Sequence, residues 1–428
     1  LHKNFSGSVV KPDTFSALAV IPPGLEQVAL EELERLGALS ARTLRGAVTF
    51  QIDTPGYYRL HLRARLPFRI LRELGRFPCS HRQELAAGVR QVADWDRWLP
   101  PPRTLRVEVS GGTSVFNHSH FTALEVKNAL VDLQRERWGT RSSVDRRDPD
   151  LVVHLHLLRH GEAVLSLDGG GGSLHRRGWR AAVGLAPLKE NLAAGLLALT
   201  GWEGDCPLVD PFCGSGTLLI EAACAALGRA PGLLPPAAAG ETPRCRDFAL
   251  QRWPDFDPAL WRREEEAARR LARDTLADGR PLAPLVGCDH NAAVLAQARA
   301  NAEAAGVAPW IRFELADARS FTPPAGPGVI VTNPPHGERL GDRQDLQELY
   351  GALGQRLRHH APGWTLWLLS GHPDLTASLR LKATRRVPVS HGGIDCRWLR
   401  YDLRPQQHAP PEERPAAAVA GGPASGGA

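Results

Sequence analysis

The apolar positions of this chain fall into three successive patterns. Residues 15–21 form a short apolar run stopped by Pro22 and Pro23, which reads as a strand because proline cannot donate to a ladder. Leu25, Val28, Ala29, Leu33 and Leu36 then recur at helical spacing, with Gly37 where a left-handed C-terminal cap belongs. Residues 47–52 predict a second strand, and residues 57–74 a helix carrying Arg59, Arg63, Arg69 and Arg72. A second pattern follows: an alternating strand over 104–109, an amphipathic helix over 122–138 bearing Lys127, and a strand, turn and strand over 150–167. His154 and His156 would share one face of that sheet, with no third metal ligand evident. Gly169 to Gly172 reads as a flexible joint.

From about residue 190 strands and helices alternate, as in a doubly wound sheet. Strands are expected at 208–209, 282–288, 310–315, 328–332 and 364–370. The interval between Asp210 and Asp289 is long for one strand-helix-strand step. It holds a Pro/Ala-rich stretch at 230–241 and a charged helix at 258–278, and so predicts an insertion. The last 24 residues, 405–428, lack core-forming side chains and are expected to be a disordered tail.

Two motifs at strand ends carry the chemistry. DPFCGSGT runs from Asp210 to Thr217, after the apolar Leu208-Val209 and before the helical run 218–223. Gly214 and Gly216 let the backbone approach a ligand, and the following helix offers free N–H groups. NPPHG, from Asn333 to Gly337, ends the apolar strand 329–332. The Asn333 side chain and the Pro334 carbonyl supply two acceptors beside the ring of His336, a set that can hold an exocyclic amino group and stack its base. In this order, the two motifs resemble the signature of amino-group methyltransferases that use S-adenosylmethionine.

Composition adds limits. The 428 residues are 43% hydrophobic and 23% charged, the profile of a globular protein with room for two or three domains. No run of ~18 apolar residues suggests a membrane span, no signal peptide is apparent, and the seven cysteines show no CxxC pair, so a cytoplasmic protein with no metal is expected. Residues 1–190 carry 27 Lys+Arg against 20 Asp+Glu, whereas the remainder is nearly balanced. The basic excess therefore precedes the cofactor motifs, where a polyanion-binding module would serve. The four arginines of 57–74 suit a solvated helix face as well as RNA contact.

Five segments in order, SLHRRGWR (173–180), APLKENLAA (186–194), DPFCGSGTLLIEAA (210–223), RWPDFDPALW (252–261) and NPPHGERLG (333–341), resemble THUMP-domain RNA methyltransferases, most closely the RlmL group that forms N2-methylguanosine in 23S rRNA. The resemblance implies a ferredoxin-like domain over 1–66, a THUMP RNA-binding domain over 67–168, a linker over 169–189 and a Rossmann-like methyltransferase domain over 190–404. A fused second methyltransferase domain, found in some RlmL proteins, is not expected here. The family pattern has Tyr where this chain has His336, a smaller ring that titrates near neutrality. Carried onto matching positions, the resemblance assigns the S-adenosylmethionine site to Asp210, Phe212, Gly214, Ser215, Gly216, Asp289, Asp317, Ala318 and Asn333. Asp289 would hold the ribose, and Asp317 with Ala318 the adenine. Asn333, Pro334, Pro335 and His336 would serve catalysis, and Lys127, Arg176, Arg177 and Arg180 would bind RNA. The expected partner is RNA and the expected state a monomer. A tRNA guanine-N2 methyltransferase, a DNA adenine-N6 methyltransferase and a non-catalytic RNA-binding ribosome-assembly factor are the alternatives.

Overall fold

Residues 15–168 build one continuous sheet. The computed structural model describes residues 14–180, 188–233, 246–279, 281–335 and 343–404. The chain begins β1 (Phe15–Val20), α1 (Glu26–Arg35), β2 (Leu39–Leu44), β3 (Ala47–Ile52), α2 (Thr54–Arg63) and β4 (Arg69–Pro78). It continues α3 (Arg82–Gln91), α4 (Trp95–Trp98), β5 (Leu105–Gly111), α5 (Ser119–Trp138), β6 (Leu151–Leu158) and β7 (Glu162–Asp168). The strand order is β2-β3-β1-β4-β7-β6-β5. β4 pairs with β1 on one side and β7 on the other, so the two N-terminal modules share a ladder.

The helix expected over 57–74 is corrected. α2 ends at Arg63, and Ala64 is already extended. Pro67 lies just ahead, and a residue before proline is pushed out of the α region. Arg69 and Arg72 therefore lie on the central strand β4. Arg69 pairs with the buried Asp168 and with Glu108, and Arg72 with Asp255 at 2.6 Å. β2 escaped the pattern reading because it is an exposed edge strand without alternation. His154 and His156 do share a face; burial pushes His154 down to about 4, so it packs as a neutral ring, and His156 bonds Ser110 at 2.8 Å.

The second sheet comprises β8 (Leu208–Asp210), β9 (Leu285–Asp289), β10 (Ile311–Leu315), β11 (Val329–Thr332), β12 (Thr365–Ser370), β13 (Arg385–His391) and β14 (Ile394–Asp402). Its order is β10-β9-β8-β11-β12-β14-β13. β8 to β12 are parallel, β14 runs antiparallel to β12, and β13 pairs antiparallel with β14. The helices α6 (Glu190–Thr200), α7 (Thr217–Ala226), α8 (Pro258–Ala277), α9 (Ala292–Ala304), α10 (Arg343–His360) and α11 (Pro373–Ser378) complete a Rossmann-like unit.

The expected insertion straps this unit to the N-terminal sheet. Trp253 stacks on Tyr57 and meets Trp98 edge-on, while Tyr58 packs against Phe256 and Trp261. Arg59 forms a two-pronged pair with Glu264 at 2.9 and 3.0 Å, so it is engaged within the protein. Gly169 to Gly172 is not a flexible joint. Gly169 and Gly170 are buried, Gly170 N donates to Asp168, and the Gly169 carbonyl accepts from Leu250 N at 3.0 Å. A Cβ at Gly169 would stand 2.6 Å from Tyr57 Oη and His61 Nε2, so glycine is needed there for space.

Trp253 is 5% exposed. Trp253→Ala should cost about 3–5 kcal/mol, the range for losing a large buried aromatic. A guanidinium midpoint equal to that of the unchanged protein would show that the strap does not secure the two units.

Candidate active site

The chain order of the second sheet reverses between β8 and β11, and ligands of such sheets bind outside the carboxyl ends of the strands at that point. β8 ends in Asp210 and β11 in Thr332, with Val329 opposite Leu208 and Ile330 opposite Val209. Pairing thus sets the two motifs side by side. Thr332 Oγ1 donates to Asp210 Oδ1 at 2.8 Å in a buried bond, and Phe212 N donates to the same oxygen at 3.1 Å. Burial raises Asp210 to about 7, opposed by the Thr332 and Phe212 bonds and reinforced by the Asp289 charge. A buried carboxyl raised toward neutrality at a strand end makes Asp210 a candidate functional position.

The turn after Asp210 is built on two left-handed glycines, Gly214 (φ 52°) and Gly216 (φ 81°). A Cβ at Gly216 would stand 3.2 Å from Phe313 and 3.3 Å from Ala298, whereas one at Gly214 would meet nothing. Gly214 therefore borders open space, as a turn beneath a ligand must. Cys213 N donates to the Cys288 carbonyl at 2.8 Å and Gly214 N to Asp289 Oδ2 at 3.1 Å, so the turn is bound to the end of β9. Asp289 Oδ1 accepts from Asn291 N at 2.9 Å, which leaves the half-buried carboxylate at the mouth of the turn. Asn301 on α9 donates to the Ser215 carbonyl at 3.1 Å.

Asp317 sits farther out, beyond β10. Arg319 bonds both its oxygens and holds its carboxyl below the usual range. Arg319 thus sits on the carboxylate expected to face the adenine, and Ala318 beside it is buried. At the second motif Asn333 is half-buried, Pro334 buried and Pro335 exposed; the Pro335 carbonyl accepts from Tyr350 Oη at 3.3 Å. His336 lies outside the described residues, as do the 405–428 tail and most of the 230–241 stretch.

The four expected RNA contacts separate. Lys127 on α5 lines a hollow of about 310 Å³ with Arg106, Arg146 and His120, and Arg176 is exposed. Arg177 is corrected: it is buried, faces Glu221 at 3.4 Å and donates to the Leu174 and Arg65 carbonyls, so no phosphate can reach it. Arg180 is also engaged within the protein. It pairs with Glu190 at 3.0 Å and donates to Thr217 Oγ1 at 3.1 Å, bracing the glycine turn from behind. Sequence reasoning missed Thr332, Arg319, Tyr350 and this use of Arg180. Thr332, the sole hydroxyl in an apolar strand, was the one visible signal.

Three family models cover the chain in order. The RlmL ferredoxin-like domain matches residues 16–71, the THUMP domain 81–168 and the RMKL-like methyltransferase domain 177–400. The chain is 40% identical to the protein named "Putative RNA methyltransferase slr0064" of Synechocystis sp. over 92% of this chain and 100% of that one. It is 39% identical to the ribosomal RNA large subunit methyltransferase K/L of Pseudomonas entomophila, matching 96% of this chain but 55% of that protein. The chain thus spans about half the length of the K/L relatives it matches. Among solved structures, "SMU.472, a putative methyltransferase complexed with SAH" superposes with a TM-score of 0.78 at 28% identity, covering 93% of this chain and 100% of that one.

The residues present suit S-adenosylmethionine: an open glycine turn, a half-buried carboxylate at the end of β9 and a buried carboxyl at the end of β8. The sign of one pH effect follows. Asp210 with a raised pKa favours folding fully only below its unfolded value of 3.8, and that contribution fades as pH rises through about 7. With the cofactor's methionine end held at this turn, its ammonium would favour the ionised carboxyl, so S-adenosylhomocysteine should bind more tightly at pH 8 than at pH 6. Calorimetry should show this for the native protein and a flat profile for Asp210→Asn. An equally steep profile in the variant would place the titrating group elsewhere.

Proposed function

Because the chain belongs to the RMKL-like methyltransferase family, with S-adenosylmethionine as its cofactor, we propose that it methylates guanine N2 in large-subunit ribosomal RNA. Two things support the RNA target: the match to the THUMP model, and the likeness over about half their length to K/L enzymes whose names specify that RNA. The observation that carries the chemistry is the placement of Asn333, at the end of β11 and next to the Thr332–Asp210 bond. When bound, S-adenosylmethionine supplies an electrophilic methyl group, and no metal or covalent enzyme intermediate is required.

Guanine N2 is a poor nucleophile because its lone pair is delocalised into the ring. The Asn333 side-chain oxygen and the Pro334 carbonyl accept its two hydrogens and favour a pyramidal nitrogen aimed at the methyl group. The contribution is positioning and electrostatics in a site fixed before the base arrives. Burial of Pro334 and the Tyr350 bond to Pro335 keep this segment from shifting. Asp289 holds the ribose of the cofactor, and the turn from Phe212 to Gly216 its methionine end. A base within a helix cannot reach this recess, so the nucleotide flips out and rests on the ring of His336. The hollow beside Lys127 and Arg146 grips the RNA backbone on the THUMP domain, with Arg106 held in its wall by Glu108 at 3.1 Å.

Asn333→Ala should cut turnover about ten- to a thousand-fold, the scale of a lost polar positioning contact. Its affinity for S-adenosylhomocysteine should fall by much less than its turnover. Nucleoside mass spectrometry of rRNA and tRNA from a deletion strain, incubated with the protein and labelled cofactor, should find N2-methylguanosine in the large-subunit fraction. Label in tRNA alone, or in N6-methyladenine, would overturn the assignment.

A further inference from the structure

A cleft of about 840 Å³ opens between the ferredoxin-like module and the antiparallel edge of the second sheet. One wall is the 23–26 turn with Arg45, on the β2–β3 turn; the other is β13 and β14 with Arg386 and Arg397. Cross-strand register puts both arginines on one face of the hairpin, since Arg397 pairs with Pro388 and Arg386 with Leu399. The opposite face, with Val389, Cys396 and Trp398, is buried. Arg45, Arg386 and Arg397 are exposed, and among the described residues none is paired with a carboxylate. Two carboxylates also line the cleft: Glu26, which accepts from Gly24 N and Gly46 N, and Asp395 near the hairpin tip.

The charge balance of the C-terminal half conceals this edge. Residues 380–400 hold six Lys+Arg (Arg380, Lys382, Arg385, Arg386, Arg397 and Arg400) against Asp395 alone. The cleft is also preformed. Ser390 N donates to the Pro23 carbonyl at 3.3 Å, and a Cβ on Gly24 would stand 1.9 Å from the Pro388 carbonyl oxygen, so the two modules meet backbone to backbone. Its floor includes Ser370, the last residue of β12. Thr332, the last residue of β11, pairs with Leu368, so Ser370 ends the neighbouring strand two residues past that pair.

We propose that this cleft holds the single-stranded RNA flanking the target nucleotide, with Arg45, Arg386 and Arg397 on its phosphates. It is a second RNA contact, separate from the Lys127 hollow. The inference rests on the proposed RNA substrate. A flipped nucleotide leaves its neighbours unstacked beside the site, and a basic groove starting one strand from Asn333 is where that strand must pass. The ferredoxin-like module, docked through Pro23 and Gly24, thereby contributes a wall of the substrate channel.

The test uses the full chain with Arg45, Arg386 and Arg397 changed together to Ala, and in parallel to Lys. Affinity for rRNA fragments is measured at two salt concentrations, alongside affinity for S-adenosylhomocysteine. The alanine variant should bind RNA at least ten-fold more weakly, with a salt slope shallower by up to about 2, as each lost single-strand phosphate contact removes ~0.7. Lysine should restore most of both, and S-adenosylhomocysteine affinity should match the native protein in each. If the native protein binds and methylates RNA and the alanine variant keeps its affinity and slope, the cleft assignment falls and the RNA reading stands. If the native protein neither binds nor methylates RNA, both fall. A loss of S-adenosylhomocysteine affinity in both variants would mean that the arginines support the fold, which also overturns the proposal.

Discussion

The parallel pairing of β8 with β11 is the constraint on which the site depends. These strands are more than a hundred residues apart in sequence, yet their pairing sets Asp210 against Thr332 and fixes where Asn333 leaves the sheet. Two ladder pairs and one buried hydroxyl–carboxyl bond would be weak alone. They are held because Val209 and Ile330 are fully buried, packed with α10 and β12 in one apolar cluster. Sliding one strand by a residue would invert its buried and outward positions and is strongly disfavoured. Site geometry is thus inherited from strand packing.

A second constraint couples the N-terminal sheet to this unit. Arg65 and Arg177 converge on the buried Glu221 of α7, while Glu32 accepts from Arg65 N and Leu66 N. Buried charges survive only when their partners are satisfied, so the seam fixes relative placement more than it adds stability. With the aromatic strap around Trp253 and the backbone contact of Pro23 with Ser390, it joins the modules at three separated places. On the proposed RNA substrate, an N-terminal sheet docked in this way would hold RNA in a set relation to the glycine turn. That rigidity is how a distant domain can contribute to selecting a target nucleotide.

Arginine serves both purposes in this chain, and burial separates them. Arg59, Arg69, Arg72, Arg177 and Arg180 all find carboxylates within the protein, several across module boundaries. Lys127 and Arg176, by contrast, lie where solvent reaches them. A planar guanidinium with several donors suits an interface that must satisfy carboxylates and carbonyls together, so a high arginine count does not by itself measure nucleic-acid affinity.

The sequence by itself determined the strand-and-helix alternation, the glycine turn after Asp210, the proline-stopped strand before Asn333 and the insertion between Asp210 and Asp289. Each is written in local steric terms, through apolar period, glycine freedom and proline geometry, and needs no partner from elsewhere in the chain. The ends of most strands were legible within a few residues for the same reason. Tertiary structure alone decided that Arg69 and Arg72 lie on a central strand, that Gly169 and Gly170 are packed tight, that Arg177 is buried and that Arg180 braces the glycine turn. It also gathered Arg45 with Arg386 and Arg397 around one cleft. Those outcomes depend on which distant carboxylate, carbonyl or ring each residue meets, and a local pattern of hydrophobic and polar positions carries no record of contacts between residues a hundred or more positions apart.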